Sequence, residues 1–552
     1  MTEVTIAPTG LDTWVAFDAP ANASATERCR VEVIQASLTH LDGIEVISAT
    51  VNRTGGYQPP KPTWEAPPGV DLPDPPLFSG LPDFCDVLVR HTTPAGHVAE
   101  ITVWVPLRWN RRFLGLGGAG SRTDPPWFFF SHDRVLLMPG AIRNGFATAT
   151  TDSGNRDPRY ADWPFVGESG ELDRELMRDW LYRGTHDMTL VGKAVTEAIH
   201  GEAPKYSYFQ GCSGGGRQAM AQAQRYPGDY DGLWSANPSI NWSRFVPALF
   251  WPALVMKEHR NALPPAKLEA FRVAAVEACD GAVDGLRDGI IGAFDSHEFD
   301  PALLVGTSTG SGVITEADAE VMRKIWDGPR RTTGERLWAG LRPGSESWGN
   351  NAYHHGLCLT REVDGELVPV PFGIGESWLR WATGDPKLDW RTVTFETFEE
   401  IFDRGVRELS EVDTDDPDLS GLRDHGAKLI LSHGAVDELI FVEGSIDYYR
   451  RVVETIGGSE ETASFARLFV VEGDVHSNCA GPGPGLTIAG GMAALMNWVE
   501  NGTAPDSIIA ERFDPDAGEV VATRPAYPYP LIPRYQGSGD PNDAANFYPS
   551  HI

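Results

Sequence analysis

The chain has 552 residues, 41% of them hydrophobic, which is ample for a buried core and too long for one simple domain. A formal charge of −31 argues against nucleic acid and against anionic membrane as partners. No window reaches about 18 uninterrupted apolar residues, so no membrane-spanning helix is expected.

Met1 to Gly10 has no basic stretch followed by an apolar one, so no export signal is expected in the chain as it stands. The six cysteines, Cys29, Cys85, Cys212, Cys279, Cys358 and Cys479, are too dispersed for a small disulfide framework or a zinc cluster. The 17 Trp and 24 Phe suit either a large core or an aromatic binding surface.

Residues 1–80 end in a Pro-rich stretch, Pro59 to Pro76, which reads as extended surface chain. Val87 to Val89, Ile101 to Val105 and Phe113 to Leu116 read as strands. The last runs into the glycine loop Gly117-Gly118-Ala119-Gly120. Trp127 to Phe130 follow it, as pocket lining or as core. Phe146 to Thr151 reads as another buried strand, and the apolar spacing predicts a helix over 186–200. Tyr206 to Phe209 is a short strand and Arg217 to Arg225 a helix. Strands alternating with helices imply a parallel sheet covered on both faces.

From about 235 to 420 that rhythm breaks into Trp-, Gly- and charge-rich chain with helices near 265–279 and 316–326. It resumes with a strand at Ala427 to Ser432, a helix near 444–456, a strand at Phe469 to Val471 and a helix at 486–500. The simplest account is an α/β-hydrolase fold with a large inserted cap, or lid. Residues 1–234 and 421–552 form the catalytic domain, and 235–420 form the cap.

Gly211-Cys212-Ser213-Gly214-Gly215 lies between a strand and a helix, the context a nucleophile elbow requires. The turn is so tight that its flanking residues must be small. In such folds the acid and the histidine follow the serine in chain order. Asp437 comes after the strand ending at Ser432, and His476 after the strand Phe469 to Val471. His476 is the expected base and Asp437 its partner. His433 and Asp474 are the rivals. An oxyanion hole needs two backbone donors. Gly214 is expected to supply one, and Gly117 or Gly118 the other.

The stretch Tyr206 to Gly232, YSYFQGCSGGGRQAMAQAQRYPGDYDG, resembles the elbow of the tannase and feruloyl esterase family of α/β-hydrolases. That family also contains an enzyme acting on mono(2-hydroxyethyl) terephthalate. Thr151-Asp152-Ser153-Gly154, Asp447-Tyr448-Tyr449, Trp498 to Gly502 and Tyr535 to Asp540 are similar to further family segments. The resemblance runs from about residue 28 to the C-terminus. It implies a serine carboxylic ester hydrolase acting through an acyl-enzyme on small esters of aromatic acids, such as gallate, ferulate or mono(2-hydroxyethyl) terephthalate. The chemistry needs no organic cofactor.

The same resemblance implies two disulfides. One pairs Cys212 with Cys479, although Ser477 and Asn478 separate His476 from Cys479, where the family has none. The other pairs Cys29 with Cys85. Cys279 and Cys358 have no family pairing, and Tyr527 and Tyr548 occupy the places of another common pair.

Cys279 to Ile290 places three carboxylates four residues apart among glycines. Hard cations take six to eight oxygens, which carboxylates and carbonyls together can supply. The spacing is not that of an EF-hand. The resemblance implies a structural Ca2+ held by Asp280, Asp284 and Asp288 with the carbonyls of Leu286 and Ile290. Two other classes of function stay open: another serine hydrolase chemistry, peptidase or acyltransferase, and a non-catalytic binding protein on the same scaffold. The oligomeric state is not readable.

Overall fold

A computed structural model describes residues 5–6, 15, 17–20, 22–61, 74–123, 138–157, 159, 161–167, 169–281, 284–292, 299–349, 356–476, 481–514 and 517–551. The segments rich in Val, Ile, Thr and aromatics form one nine-stranded sheet among the described residues. Its strands are β1 (Ile44–Asn52), β2 (Phe84–Thr92), β3 (Val98–Pro106), β4 (Arg112–Leu116), β5 (Ala147–Thr151), β6 (Tyr206–Cys212), β7 (Gly232–Ala236), β8 (Lys428–Gly434) and β9 (Ala466–Val471). Across the sheet they run β9-β8-β7-β6-β4-β5-β3-β2-β1. The pairings from β9 to β5 are parallel. Those from β5 through β3 and β2 to β1 are antiparallel.

The longer helices, in chain order, are α1 (Gly184–His200), α2 (Gly214–Arg225), α3 (Trp242–Glu258), α4 (Pro265–Cys279), α5 (Glu316–Asp327), α6 (Gly373–Thr383), α7 (Phe395–Leu409), α8 (Val442–Ile456) and α9 (Ile488–Asn501). Helices cover both faces of the parallel strands, which is why these read as continuous apolar runs. On one face Phe113, Phe209, Leu233 and Leu431 pack with Val191 and Val195 of α1, Met220 of α2 and Val452 of α8. On the other, Trp104, Tyr208, Trp234 and Phe469 pack with Met492 and Trp498 of α9. A disulfide between Cys29 and Cys85 ties the N-terminal helical segment to β2.

Between β7 and β8 the described residues add no strand to this sheet. It builds α3 to α7 around an aromatic core of its own. α3 is buried nearly all round, as a helix inside a core must be. The surplus of Trp goes largely here. Trp163 and Trp180 lie 5.4 Å apart between ring centroids, and Trp180 and Trp242 lie 5.2 Å apart edge to face, arrangements that aromatic quadrupoles favour. This core also recruits Trp163, Phe165, Met177, Trp180 and Leu181 from the chain before β6, so its packing is not confined to 235–420. Among the described residues, no helix is long and apolar enough to cross a membrane.

Candidate active site

Ser213 separates the last residue of β6 from the first of α2, with φ +62° and ψ −120°. Side chains rarely adopt this conformation, and it marks a strained elbow. The chain around it leaves no room for side chains. A Cβ on Gly211 would sit 2.4 Å from the Gly215 carbonyl, and one on Gly117 2.5 Å from Gly215 Cα. The Ser213 amide donates to the Ala236 carbonyl at 3.0 Å, and its own carbonyl accepts from the Arg217 amide at 2.9 Å. α2 starts at Gly214, so the positive end of that helix and its unsatisfied first-turn amides adjoin Ser213.

The loops after β8 and β9 bring Asp437 and His476 together. His476 Nδ1 lies 3.0 Å from Asp437 Oδ2 and 3.2 Å from Oδ1. Asp437 Oδ1 also accepts the amides of Leu439 at 2.8 Å and Ile440 at 2.7 Å. Burial by itself would raise the Asp437 pKa. The adjoining His476 and His433 overcome it and hold the carboxyl well below the usual carboxylate range. For His476 the balance is reversed. Burial would lower it, but the Asp437 carboxylate, helped by Glu438 and Asp474, carries it above the ordinary value. An imidazole whose Nδ1–H donates to Asp437 keeps Nε2 as an acceptor. Ser213 Oγ and His476 Nε2 are not hydrogen-bonded to each other in this structure. In ligand-free sites such bonds are often long and tighten with substrate.

His433, the rival base, is fully buried with both ring nitrogens engaged. Nδ1 meets Ser445 Oγ at 2.8 Å, and Nε2 meets the Ile440 carbonyl at 2.9 Å and Asp437 Oδ2 at 3.3 Å. It braces the acid loop from behind. Asp474, the rival acid, is buried and accepts the Val475 amide at 3.0 Å. The bond to His476 Nδ1 belongs to Asp437.

The glycine loop corrects one expectation. The amide of Gly117 donates to the Gln210 carbonyl at 3.1 Å, and that of Gly118 to Gln218 Oε1 at 2.8 Å. Neither is free to meet a substrate, because the Gly117 amide is spent on β6 and the Gly118 amide on α2. The next two, Ala119 and Gly120, have no hydrogen-bond partner among the described residues. Gly120 N lies 3.2 Å from the place a Cβ on Gly214 would occupy. Gly214, first in α2, has no carbonyl within the helix to donate to.

A second correction concerns Cys212. It is a buried free thiol, not one half of a bridge to Cys479. Its Sγ donates to the His476 carbonyl at 3.5 Å, so the elbow and the histidine loop are still linked, though weakly. Cys479 itself lies outside the described residues, as do Trp127 to Phe130.

Two residues that sequence reasoning missed hold the histidine loop. Asn237, just past β7 with φ +40°, donates from Nδ2 to the carbonyls of Val475 at 3.1 Å and His476 at 2.8 Å. Its Oδ1 accepts the Gly434 amide at 3.1 Å. One side chain thereby joins β7, the end of β8 and the histidine. The turn dipeptide Asn237-Pro238 is the sole local hint of it. Glu438 accepts the His476 amide at 3.2 Å. Burial first, and the neighbouring Asp437 charge second, push its carboxyl up to about 7.

The acidic loop offers the donor types a hard cation takes, with Asp284 buried. Its oxygens are nevertheless used internally. Asp280 accepts the amides of Asp288 at 3.3 Å and Gly289 at 2.9 Å. Asp284 accepts the Leu286 amide at 3.0 Å, and Asp288 accepts the Ile290 amide at 3.2 Å and pairs with Arg524. Among the described residues no group of three or more His, Cys, Asp and Glu is set to hold a metal. Ala282 and Val283 are outside them.

Comparison with known proteins gives the family of the chain. The family profile described as "Tannase and feruloyl esterase" matches residues 85–549. The chain is 38% identical over 456 residues to a protein named "Probable feruloyl esterase" from Arthroderma benhamiae, covering 81% of this chain and 82% of that one. It is 30% identical over 528 residues to mono(2-hydroxyethyl) terephthalate hydrolase from Piscinibacter sakaiensis, covering 85% of each. Its fold matches the solved tannin acyl hydrolase from Aspergillus niger with a TM-score of 0.79 at 22% identity, over 97% of both chains. It matches feruloyl esterase B from Aspergillus oryzae with a TM-score of 0.74 at 24% identity, over 96% of this chain and 100% of that one. The chain belongs to the tannase and feruloyl esterase family of carboxylic ester hydrolases.

Proposed function

We propose that the protein hydrolyses small esters of aromatic acids through an acyl-enzyme on Ser213. The observation that carries this reading is the strained serine at the head of α2, followed in chain order by an Asp437–His476 pair in contact at 3.0 Å. His476 Nε2 takes the Ser213 hydroxyl proton as Oγ attacks the ester carbonyl. Asp437 stays ionised and stabilises the imidazolium. Backbone amides at Gly214 and in the glycine loop receive the developing oxyanion. Collapse breaks the ester bond, and the imidazolium gives its proton to the departing alcohol. Water then repeats the sequence on the acyl-serine. The aromatic acyl class is supported by the relatives named for feruloyl and terephthalate ester hydrolysis.

A panel of methyl gallate, methyl ferulate, mono(2-hydroxyethyl) terephthalate and peptide anilides tests it. Turnover of at least one aromatic ester is expected, and in Ser213→Ala it should fall by about six orders of magnitude. Activity confined to anilides overturns the ester reading.

For the 279–290 loop we propose a structural calcium bound through Asp280, Asp284 and Asp288 with the carbonyls of Leu286 and Ile290. The donor chemistry supports it. Binding would require these carboxylates to exchange part of their amide and Arg524 contacts for the ion. EDTA treatment should lower Tm without touching the chemical step, and readdition of Ca2+ should restore it. An unchanged Tm with no copurifying metal removes the proposal.

A further inference from the structure

α2 carries more than the nucleophile. Its buried polar face grips two neighbouring segments at once. Arg217, fully buried with its guanidinium 3.8 Å from the Trp180 ring centroid, donates to the Leu181 carbonyl at 3.0 Å. Gln222 donates to the Tyr182 carbonyl at 3.1 Å. Between them Gln218, 1% exposed, uses both ends of its carboxamide. Nε2 donates to Thr185 Oγ1 at 2.8 Å, and Oε1 accepts the Gly118 amide at 2.8 Å.

The consequence lies in what that second bond does to the glycine loop. A loop can offer amides to a substrate only if they are unspent and aimed at the reacting carbonyl. Gly117 is tied to the Gln210 carbonyl and Gly118 to Gln218. These two bonds fix the orientation of the peptide planes just ahead of Ala119 and Gly120, whose amides are unengaged beside the head of α2. We propose that Gln218 is a positioning residue of the oxyanion hole. It spends the Gly118 amide in order to aim the Ala119 and Gly120 amides, with Gly214, at the oxyanion formed on attack by Ser213. Thr185 holds Gln218 in place from the other side. The proposal rests on the serine reading above.

The test pairs ester turnover with inhibition by an aryl trifluoromethyl ketone. Addition of a serine oxygen to the ketone carbon forms a tetrahedral adduct whose oxygen carries the negative charge, so its binding reports the oxyanion hole directly. Gln218→Met removes the acceptor while keeping the volume. It should lower kcat by roughly 10- to 100-fold, as small misplacements in a reacting site do, with KM nearly unchanged. The Ki of the ketone should rise by a similar factor. Gln218→Glu retains an acceptor for Gly118 and should recover most of the activity. Thr185→Val should show the same split, more weakly. Wild-type kcat in Gln218→Met, or lost kcat with an unchanged Ki, overturns the proposal. If Gln218→Met does not fold, unchanged kcat and Ki in Thr185→Val overturn it. Retained turnover in Ser213→Ala would instead sink the serine reading itself and leaves a distinct signature.

Discussion

Ser213 and His476 are held in place by contacts of very different range. The elbow is set largely by its own sequence: the close approach of Gly211 to Gly215, the backbone conformation of Ser213 and the first turn of α2, while the glycine loop at 117–120 leaves no room for side chains at Gly214 and Gly215. His476 hangs from a loop whose anchors come from afar. Asp437 is 39 residues away, Glu438 is 38, and Asn237 and Cys212 are 239 and 264. The difference teaches where function is robust. The elbow is a steric solution that admits few substitutes. The histidine side is a set of separable hydrogen bonds, each of which should give a graded loss.

The largest expected effect on that side is at Asp437. Asp437→Asn keeps the shape but removes the charge, and kcat should fall by about four orders of magnitude. The pH profile gives the sign. In the proposed mechanism His476 acts as a base only when neutral; burial would lower its pKa, but Asp437 raises it above the ordinary 6.5. The acidic limb of kcat/KM should therefore have its midpoint above that value, with activity lost as pH falls through it. In Asp437→Asn the midpoint should move down. A wild-type midpoint below the ordinary histidine value would break the comparison.

Asn237→Ala comes next. It strips two donors and one acceptor from buried backbone groups, at roughly 1–3 kcal/mol for each group left unpaired. Thermal denaturation should show lower stability. Released from β7, the histidine should react roughly 10- to 100-fold more slowly. Equal kcat in the variant would show that the loop is held without Asn237.

The smallest effect is at Glu438. Its carboxyl titrates near 7 in the folded protein against an ordinary 4.5. A raised acid favours the folded state fully below the ordinary value and loses that contribution as pH rises through about 7. Glu438→Gln keeps an acceptor for the His476 amide and removes the titration. The variant's Tm advantage over wild type should therefore grow from pH 5 to pH 8, reaching roughly 2 °C or more. A difference independent of pH would mean that Glu438 does not carry the buried charge.

Part of this site is legible in the chain because its causes are local. A tight turn demands glycines around Ser213, and apolar runs announce buried parallel strands after which Asp437 and His476 emerge. The Trp surplus was open between a core and a binding surface. Packing sends much of it into the aromatic core around α3 to α7, with Trp163 and Trp180 drawn from the chain before β6. His433 and His476 cannot be ranked by composition. They differ because Ser445 and Ile440 use up the ring nitrogens of His433.

The sequence by itself determined the strand–turn–helix around Ser213, the alternating α/β order and the family. These depend on sterics and periodicity over a few residues. Only the tertiary structure decided which glycine amides are spent, that Gln218 spends one of them, that Cys212 meets a carbonyl, and that Asn237 clamps three segments. Whether a backbone donor is free depends on acceptors that the fold brings close from far along the chain. No local pattern encodes that proximity.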